Sequence, residues 1–369
     1  MPNIRGDSYI STSTFDQGNA GAVSVNVDNT LTIDDATSVG VAGRLADEYG
    51  GISSAEFGMY NSHAGNVSVH AGSLELLNGG WISTDVKGLG VAGAVSVNAD
   101  RASILGGSYI SSKAWAESSG ITGDVSVTLS EWLHMAGRGL ISIENRAQVS
   151  EAFAAAIQPG NIAVIAPDIT MQDSSSISSS SQGYVSAGGI VLNFSHWLTM
   201  DLSSITATAQ HGNGGSVVIN GGESMFLQGS KISTIVSGTD KPGGNISISA
   251  DRLVMDTGLI MANAYSGFGG NVLVNSPLLL PSNNTLLLGA APVDTWQAFV
   301  SGFNAIQASG KLSVTPPQLN LSGVLATMSS PQFDSSLISQ DFCGLGAGST
   351  LTRLGNGGLP LKARDLPWY

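Results

Sequence analysis

The segment Gly93-Ala94-Val95-Ser96-Val97-Asn98-Ala99 decides the fold, because the chain repeats it with small changes along most of its length. In each copy a glycine precedes a small or polar residue, and apolar residues then recur at every second position. This alternation is typical of a β-strand with one buried face. The copies begin at Gly21, Gly65, Gly93, Gly123, Gly160, Gly188, Gly215, Gly244 and Gly270. A fixed phrase at a near-fixed period predicts an array of stacked repeats.

Each period contains two further short apolar segments after the glycine phrase. One includes Leu74 and Leu76, and the next includes Ile82 in one copy and Ile110 in another. Three short strands within roughly 28 residues predict one coil of a parallel β-helix, in which every coil pairs with its neighbours. We therefore predict an all-β, right-handed parallel β-helix (a solenoid), since parallel crossover connections are right-handed.

Acidic residues recur where the first corner of such a coil is expected. Asp28, Asp100 and Asp251 each lie seven residues after their glycine. Because aspartate tolerates the left-handed backbone conformations that corners use, we predict a structural role for these three residues.

The phrase divides the chain into two regions. Residues 1–275 are predicted to form the β-helix repeats, and residues 276–369 a C-terminal cap and tail that covers the last apolar coil. Two long spacings predict insertions at 37–63 and 145–158, the second of which contains SEAFAAAI and favours a helix. Gly6–Thr12 is similar to the mid-repeat segment Gly106–Ser112, so we expect the chain to begin inside a repeat, as part of a longer protein. The N-terminus also lacks the apolar region of a signal peptide.

The composition excludes several classes of partner. Charged residues are only 11% of the 369 residues, and the net charge is −13. A phosphate-binding surface needs clustered lysine and arginine, whereas the 14 basic residues are scattered. We therefore expect neither a nucleic-acid partner nor binding to an anionic membrane. No run of about 18 apolar residues is present, so no transmembrane helix and no membrane insertion are predicted.

The residues favour a non-catalytic protein. Glycoside hydrolysis needs two convergent carboxylates, but the recurring aspartates come from separated coils. The five histidines have no metal-ligand spacing, and Cys343, the single cysteine, is predicted to be a packing residue. We expect no cofactor and no metal. A polysaccharide lyase or hydrolase, or a non-functional gene remnant, remains the alternative.

Two aromatic residues form a candidate binding surface. Trp81 and Tyr109 each lie sixteen residues after their glycine, and alternation points both side chains outward on adjacent coils. Aromatic rings suit sugars, so Trp81 and Tyr109 are a candidate glycan-contact strip. The favoured interpretation is a stacked pair that stabilises the sheet.

The repeats and the tail together resemble a known family. Gly244–Ala250 (GNISISA) and Gly229–Thr234 (GSKIST) are similar to repeats of filamentous-haemagglutinin-like large exoproteins of Gram-negative bacteria and cyanobacteria, also described as S-layer or adhesion exoproteins. That family often ends with a cysteine, a Ser/Thr-rich strand and G-R-G-G-L-P. Cys343, Ser349–Thr352 and Gly355–Pro360 match this ending, with Asn356 in place of the arginine.

The resemblance implies secretion by the two-partner route and a place at the outer cell surface. The partner would be an outer-membrane transporter, which engages an upstream domain whose N-P-N-G-type motif this chain lacks. We accordingly expect the C-terminal part of an adhesin-like exoprotein. It would act as a stalk and display surface for contact with surface glycans, host cells or neighbouring cells.

Overall fold

The computed structural model describes residues 2–6, 8–36, 50–58, 61–265, 268–289 and 303–315. The chain divides into two units, Met1–Pro317 and Gln318–Tyr369, and all described residues belong to the first. Within them there is one α-helix, α1 (Glu151–Ala154), and one 3-10 turn at Ser282–Asn284. The strands are β1 (Asn3–Arg5), β2 (Tyr9–Thr14), β3 (Val23–Asp34), β4 (Gly51–Glu56), β5 (Val67–Leu77), β6 (Trp81–Val86), β7 (Val95–Leu105), β8 (Tyr109–Ala114), β9 (Val125–Ala136), β10 (Leu140–Asn145), β11 (Ile162–Ile165), β12 (Asp168–Met171), β13 (Ser176–Ser181), β14 (Ile190–Phe194), β15 (Trp197–Asp201), β16 (Ser204–Ala209), β17 (Val217–Gly221), β18 (Ser224–Gln228), β19 (Lys231–Val236), β20 (Ile246–Ser249), β21 (Arg252–Asp256), β22 (Leu259–Ala264), β23 (Val272–Asn275), β24 (Leu278–Pro281), β25 (Leu286–Gly289), β26 (Asn304–Ala308) and β27 (Leu312–Val314).

The strands form two long parallel sheets. The larger sheet contains the glycine-phrase strands and the second apolar segments. The smaller sheet contains the third segments in the order β2-β4-β6-β8-β10-β13-β16-β19-β22-β26-β25, and nine of its strands, β2 to β22, have six residues each. Strands of successive repeats pair in register, as Ile82 does with Ile110. The prediction of an all-β chain with long parallel sheets is confirmed.

In every phrase after the first, the glycine is required by the close approach of the preceding copy. A Cβ on Gly93 would lie 2.0 Å from the carbonyl oxygen of Gly65, and one on Gly188 would lie 1.8 Å from that of Gly160. These distances are far below van der Waals contact, so only glycine fits. We call this set the glycine column; its members are Gly65, Gly93, Gly123, Gly160, Gly188, Gly215, Gly244 and Gly270. Gly21, in the first copy, is not a member, since a Cβ there would lie no closer than 3.5 Å to Thr12.

Side chains complete the hydrogen bonds around the glycine column. The buried Thr84 hydroxyl donates to the carbonyl of Gly93 at 2.5 Å, and Thr234 does the same to Gly244 at 2.7 Å. The residue after the glycine caps the next copy: the Oδ1 of Asn161 accepts from the backbone N–H of Gly189 at 2.8 Å. An asparagine or aspartate at the second position of the phrase therefore links adjacent repeats.

The inner faces of both sheets form one apolar core. Apolar residues that alternate along the strands pack against their equivalents in the next repeat, which is how arrays stabilise units that cannot bury a face alone. The third-strand isoleucines are fully buried; they are Ile52, Ile82, Ile110, Ile141, Ile177, Ile205, Ile232, Ile260 and Ile306.

The left-handed conformation predicted for the aspartates of the first corner was wrong. Asp28 and Asp100 lie within the continuous strands β3 and β7, where the chain passes the first corner through a shift of strand register. Their backbone, like that of Asp251, is not left-handed. Left-handed residues occur instead after the second segment, with φ between 50° and 65°. We call these aligned residues the left-handed column; they are Asn78, Gly106, Gly137, Asp173, Leu202, Gly229, Thr257 and Asn283.

The long spacings contain different structures. Within 37–63, the segment Gly51–Glu56 is a regular strand of the smaller sheet rather than part of an insertion. Within 145–158, the predicted helix is present as α1, and the Ser150 hydroxyl accepts from the N–H of Phe153 at its start. No helix in the described ranges has the length and apolar content needed to cross a membrane.

Both sheets continue past residue 275. In the larger sheet β24 pairs with β21 and β27 with β23, and in the smaller sheet β26 pairs with β22. The boundary between 1–275 and 276–369 stays a prediction, and residues 316–369, including Cys343 and the tail motif, lie outside the described residues.

Candidate functional site

Trp81 and Tyr109 lie together as predicted from their spacing. They pair in register on β6 and β8, and their rings stack with centroids 6.2 Å apart and an interplanar angle of 9°. The Trp81 ring also lies over Gly51, where a Cβ would come within 2.3 Å of it. Trp81 is only 6% exposed. Its burial agrees with the favoured interpretation, a stacked pair that stabilises the sheet, and the glycan-contact strip stays an untested candidate.

A second aromatic group follows the ends of the smaller-sheet strands. Phe15 and Phe57 stack at 5.1 Å, and the Nζ of Lys87 lies 4.6 Å from the Phe57 ring and 4.5 Å from the Trp115 ring. The Cζ of Arg146 lies 5.6 Å from the Trp115 ring. Phe15, Phe57, Lys87, Trp115 and Arg146 occupy equivalent positions in successive repeats, and we call them the aromatic–cation ladder.

One carboxylate, that of Glu144, pairs with two cations at this ladder. The Nζ of Lys113 lies 4.1 Å from the Trp115 ring and 3.3 Å from Glu144, whose other oxygen lies 2.5 Å from the Nε of Arg146. Cation–π contacts of this kind stabilise a surface by about 0.5–1 kcal/mol each. The ladder therefore stabilises the contact between neighbouring repeats, and Glu144 offsets part of its positive charge.

Sequence reasoning missed this ladder, although a signal was present. Each member lies five residues after the inward isoleucine of its third strand, as Trp115 follows Ile110. Aligning the copies on that isoleucine, rather than on the glycine, brings the five residues into one column.

The third aromatic group is on the outer surface of the larger sheet. We call Trp132, Asp168, Trp197 and Phe226 the tryptophan face; they lie on β9, β12, β15 and β18. Trp132 pairs with Asp168, and Asp168 pairs with Trp197. Their neighbours Leu133, Ile169 and Leu198 are buried in the core. Strand alternation therefore turns the face outward.

Trp197 is the most exposed ring of the tryptophan face. Its exposed fraction is 43%, and it stacks on Phe226 with centroids 6.1 Å apart and an interplanar angle of 19°. The backbone N–H of His196 donates to the carbonyl of Pro167 at 3.0 Å, which fixes the entry to β15.

Asp168 supplies the polar group between the two tryptophans. Its side chain is 43% exposed, and its Oδ1 lies 3.4 Å from the Nδ1 of His196. That oxygen is itself covered and has no hydrogen-bond partner. The solvent-exposed atoms of the Asp168 side chain are therefore the others, including the second carboxylate oxygen.

Ion pairs flank the tryptophan face at both ends. Arg101 lies 3.7 Å from Glu131, and Arg252 lies 3.5 Å from Glu223. All four side chains are about half exposed, so each pair adds little stability. Their effect is to leave both ends of the face without net charge.

The carboxylates and histidines considered for catalysis are not brought together. Asp28 and Asp100 lie two strands apart, and the Oδ1 of Asp100 accepts from the Ser130 hydroxyl at 2.8 Å. In the part of the chain that the structure describes, no three His, Cys, Asp or Glu residues form a group that could hold a metal.

Burial lowers the pKa of Lys231, which occupies the same column as Trp81 and Tyr109.

Comparison of the chain with protein-family models, with curated proteins and with solved structures returns no match.

Proposed function

We propose that this chain is a right-handed parallel β-helix that serves as a stalk and display surface in a secreted, adhesin-like exoprotein. One observation carries the proposal. The glycine column and the inward isoleucines are nearly constant, whereas the outward column changes from Trp132 to Asp168 to Trp197 in successive strands. A frame that repeats inside and varies outside is suited to presenting different groups along one surface.

The regular stacking supports the β-helix. Each repeat places strands in both sheets, and the paired strands are parallel, as β10 is to both β8 and β13. Parallel strands joined by crossovers are right-handed in nearly all proteins, which supports the handedness.

Secretion through an outer-membrane transporter and location at the cell surface are proposed from the family resemblance. The low charge content and the acidic net charge of −13 fit a solvated surface that does not bind nucleic acid.

The test is adherence of beads coated with the full chain to bacterial cells and to glycan-coated surfaces. We expect adherence above that of beads coated with an unrelated acidic protein. Equal adherence would contradict the display role. In parallel, the protein is incubated with acidic polysaccharides with and without a chelator. Chelator-sensitive release of unsaturated oligosaccharides would favour a polysaccharide lyase instead.

A further inference from the structure

We propose that the tryptophan face binds an uncharged polysaccharide, with a sugar ring held between Trp132 and Trp197 and its hydroxyls donating to Asp168. The inference rests on the proposed display function and names the class of ligand that the surface presents.

The ring positions support a sugar between the two tryptophans. Trp132 and Trp197 lie two strands apart, about 10 Å by the spacing of neighbouring strands. The small side chain of Asp168 stands between them. Because Phe226 covers one face of Trp197, the opposite indole face is turned toward the strand that carries Asp168. A pyranose ring has the thickness to fill such a gap while its C–H groups contact aromatic faces.

The polar groups match hydroxyls. Oδ1 of Asp168 is covered beside His196, so the exposed part of the carboxylate is left to accept from a ligand. Thr170 and Thr199 follow Asp168 and Trp197 on the outward side of the same strands, and both are partly exposed. Their hydroxyls can donate to or accept from a sugar that extends across the sheet.

The charges favour a neutral ligand. The arginines at the two ends of the face, Arg101 and Arg252, are each paired with a glutamate. Because each glutamate compensates its arginine, neither pair attracts a uronate or sulfate. The net charge of −13 also repels polyanions.

A protein partner fits this surface less well. Charged residues are depleted at the centre of protein interfaces, whereas the tryptophan face has a carboxylate at its centre. Burying Asp168 under a dry interface would cost the solvation of its exposed oxygen.

Electrophoresis of the full chain through gels that contain one soluble polysaccharide each tests the inference. The probes are hydroxyethylcellulose, a mixed-linkage β-glucan and glycol chitin, with polygalacturonate as the acidic comparison. We expect retardation by at least one neutral probe and none by polygalacturonate. Trp132→Ala and Trp197→Ala should each weaken affinity about tenfold, and Asp168→Asn should weaken it less. Trp115→Phe, in the aromatic–cation ladder, is the control and should migrate as the unmodified chain does.

Unfolding of every variant is followed by circular dichroism, so that loss of binding is read only from folded protein. No retardation by any neutral probe, affinity of both tryptophan variants unchanged from that of the unmodified chain, or retardation by polygalacturonate alone would overturn the inference. A protein partner would be indicated if Trp132→Ala/Trp197→Ala beads lost adherence to cells while no glycan retarded the chain. Adherence that persists in this double variant while no neutral probe retards the chain overturns the ligand assignment and leaves the display function standing. Retardation of a chain whose beads do not adhere would contradict the display function alone.

Discussion

The turn that begins each first strand and the corner that follows each second segment both contain glycine, but for different reasons. In the glycine column, a Cβ would lie between 1.8 and 2.2 Å from the preceding copy's carbonyl oxygen. In the left-handed column, all eight residues share one backbone conformation, yet only three are glycine. Leu202 and Thr257 adopt it despite their side chains. Glycine is obligatory at the first site because there is no space for a Cβ. It is optional at the second site because the backbone strain of a left-handed non-glycine residue is small enough to be tolerated.

The sharpest test of this difference is a pair of adjacent glycines. Gly188→Ala places a Cβ 1.8 Å from the Gly160 carbonyl oxygen, so we expect a loss of about 3 kcal/mol in the free energy of unfolding. Gly189→Ala is the matched control, because its nearest atom, Oδ1 of Asn161, is 3.2 Å away. Urea unfolding followed by circular dichroism measures both. Similar losses would mean that close approach does not explain the glycine column.

The hydroxyl that binds the glycine column should have the next largest effect. Thr84→Val removes the donor to the Gly93 carbonyl inside the core, and we expect a loss of about 2 kcal/mol. Thr84→Ser keeps the hydroxyl and should lose clearly less in the same measurement. If serine is as damaging as valine, the methyl group rather than the hydrogen bond stabilises this position.

A substitution in the left-handed column should act in the opposite direction. Leu202 has φ of 50° and is 61% exposed, so Leu202→Gly relieves backbone strain while losing little packing. We expect a gain of about 1 kcal/mol in thermal or urea unfolding. Leu202→Ala retains the strain and should be near neutral. A gain from alanine equal to that from glycine would assign the effect to the exposed side chain.

The smallest effect is expected at the capping residue beside the glycine column. Asn161→Ala removes the acceptor for the N–H of Gly189, which water can replace at this exposed site. We expect a loss of about 0.5 kcal/mol. Asn98→Ala, on an exposed strand position, should leave the urea midpoint unchanged, and a loss at both positions would argue against a specific cap.

The strands and the core could be predicted from the sequence because they depend on local alternation. Val95 and Val97 alternate with Ser96 in a way that only a one-sided strand satisfies. The position of the left-handed corner could not be predicted in this way, since Leu202 and Thr257 are not turn residues. Their conformation is imposed by the paired repeats on either side.

The candidate surfaces depended on register between distant copies. Trp132 and Trp197 are 65 residues apart in sequence but two strands apart in the sheet. Each lies nine residues after its glycine, Gly123 or Gly188, so sequence reasoning missed a signal that was present. The copies that contain Trp81 and Tyr109 are consecutive, whereas the copy that begins at Gly160 separates the two tryptophans.

The constant length of the smaller-sheet strands has a consequence for how such a chain can change. Nine successive strands there have six residues, whereas strands of the larger sheet range from three to twelve. Suppose that a gene is cut at the same position within two of these six-residue segments and rejoined. The isoleucine positions of the encoded chain would still align. Unequal recombination could therefore add or delete whole repeats, and shuffle the outward residues they contain, without creating a misfolded junction.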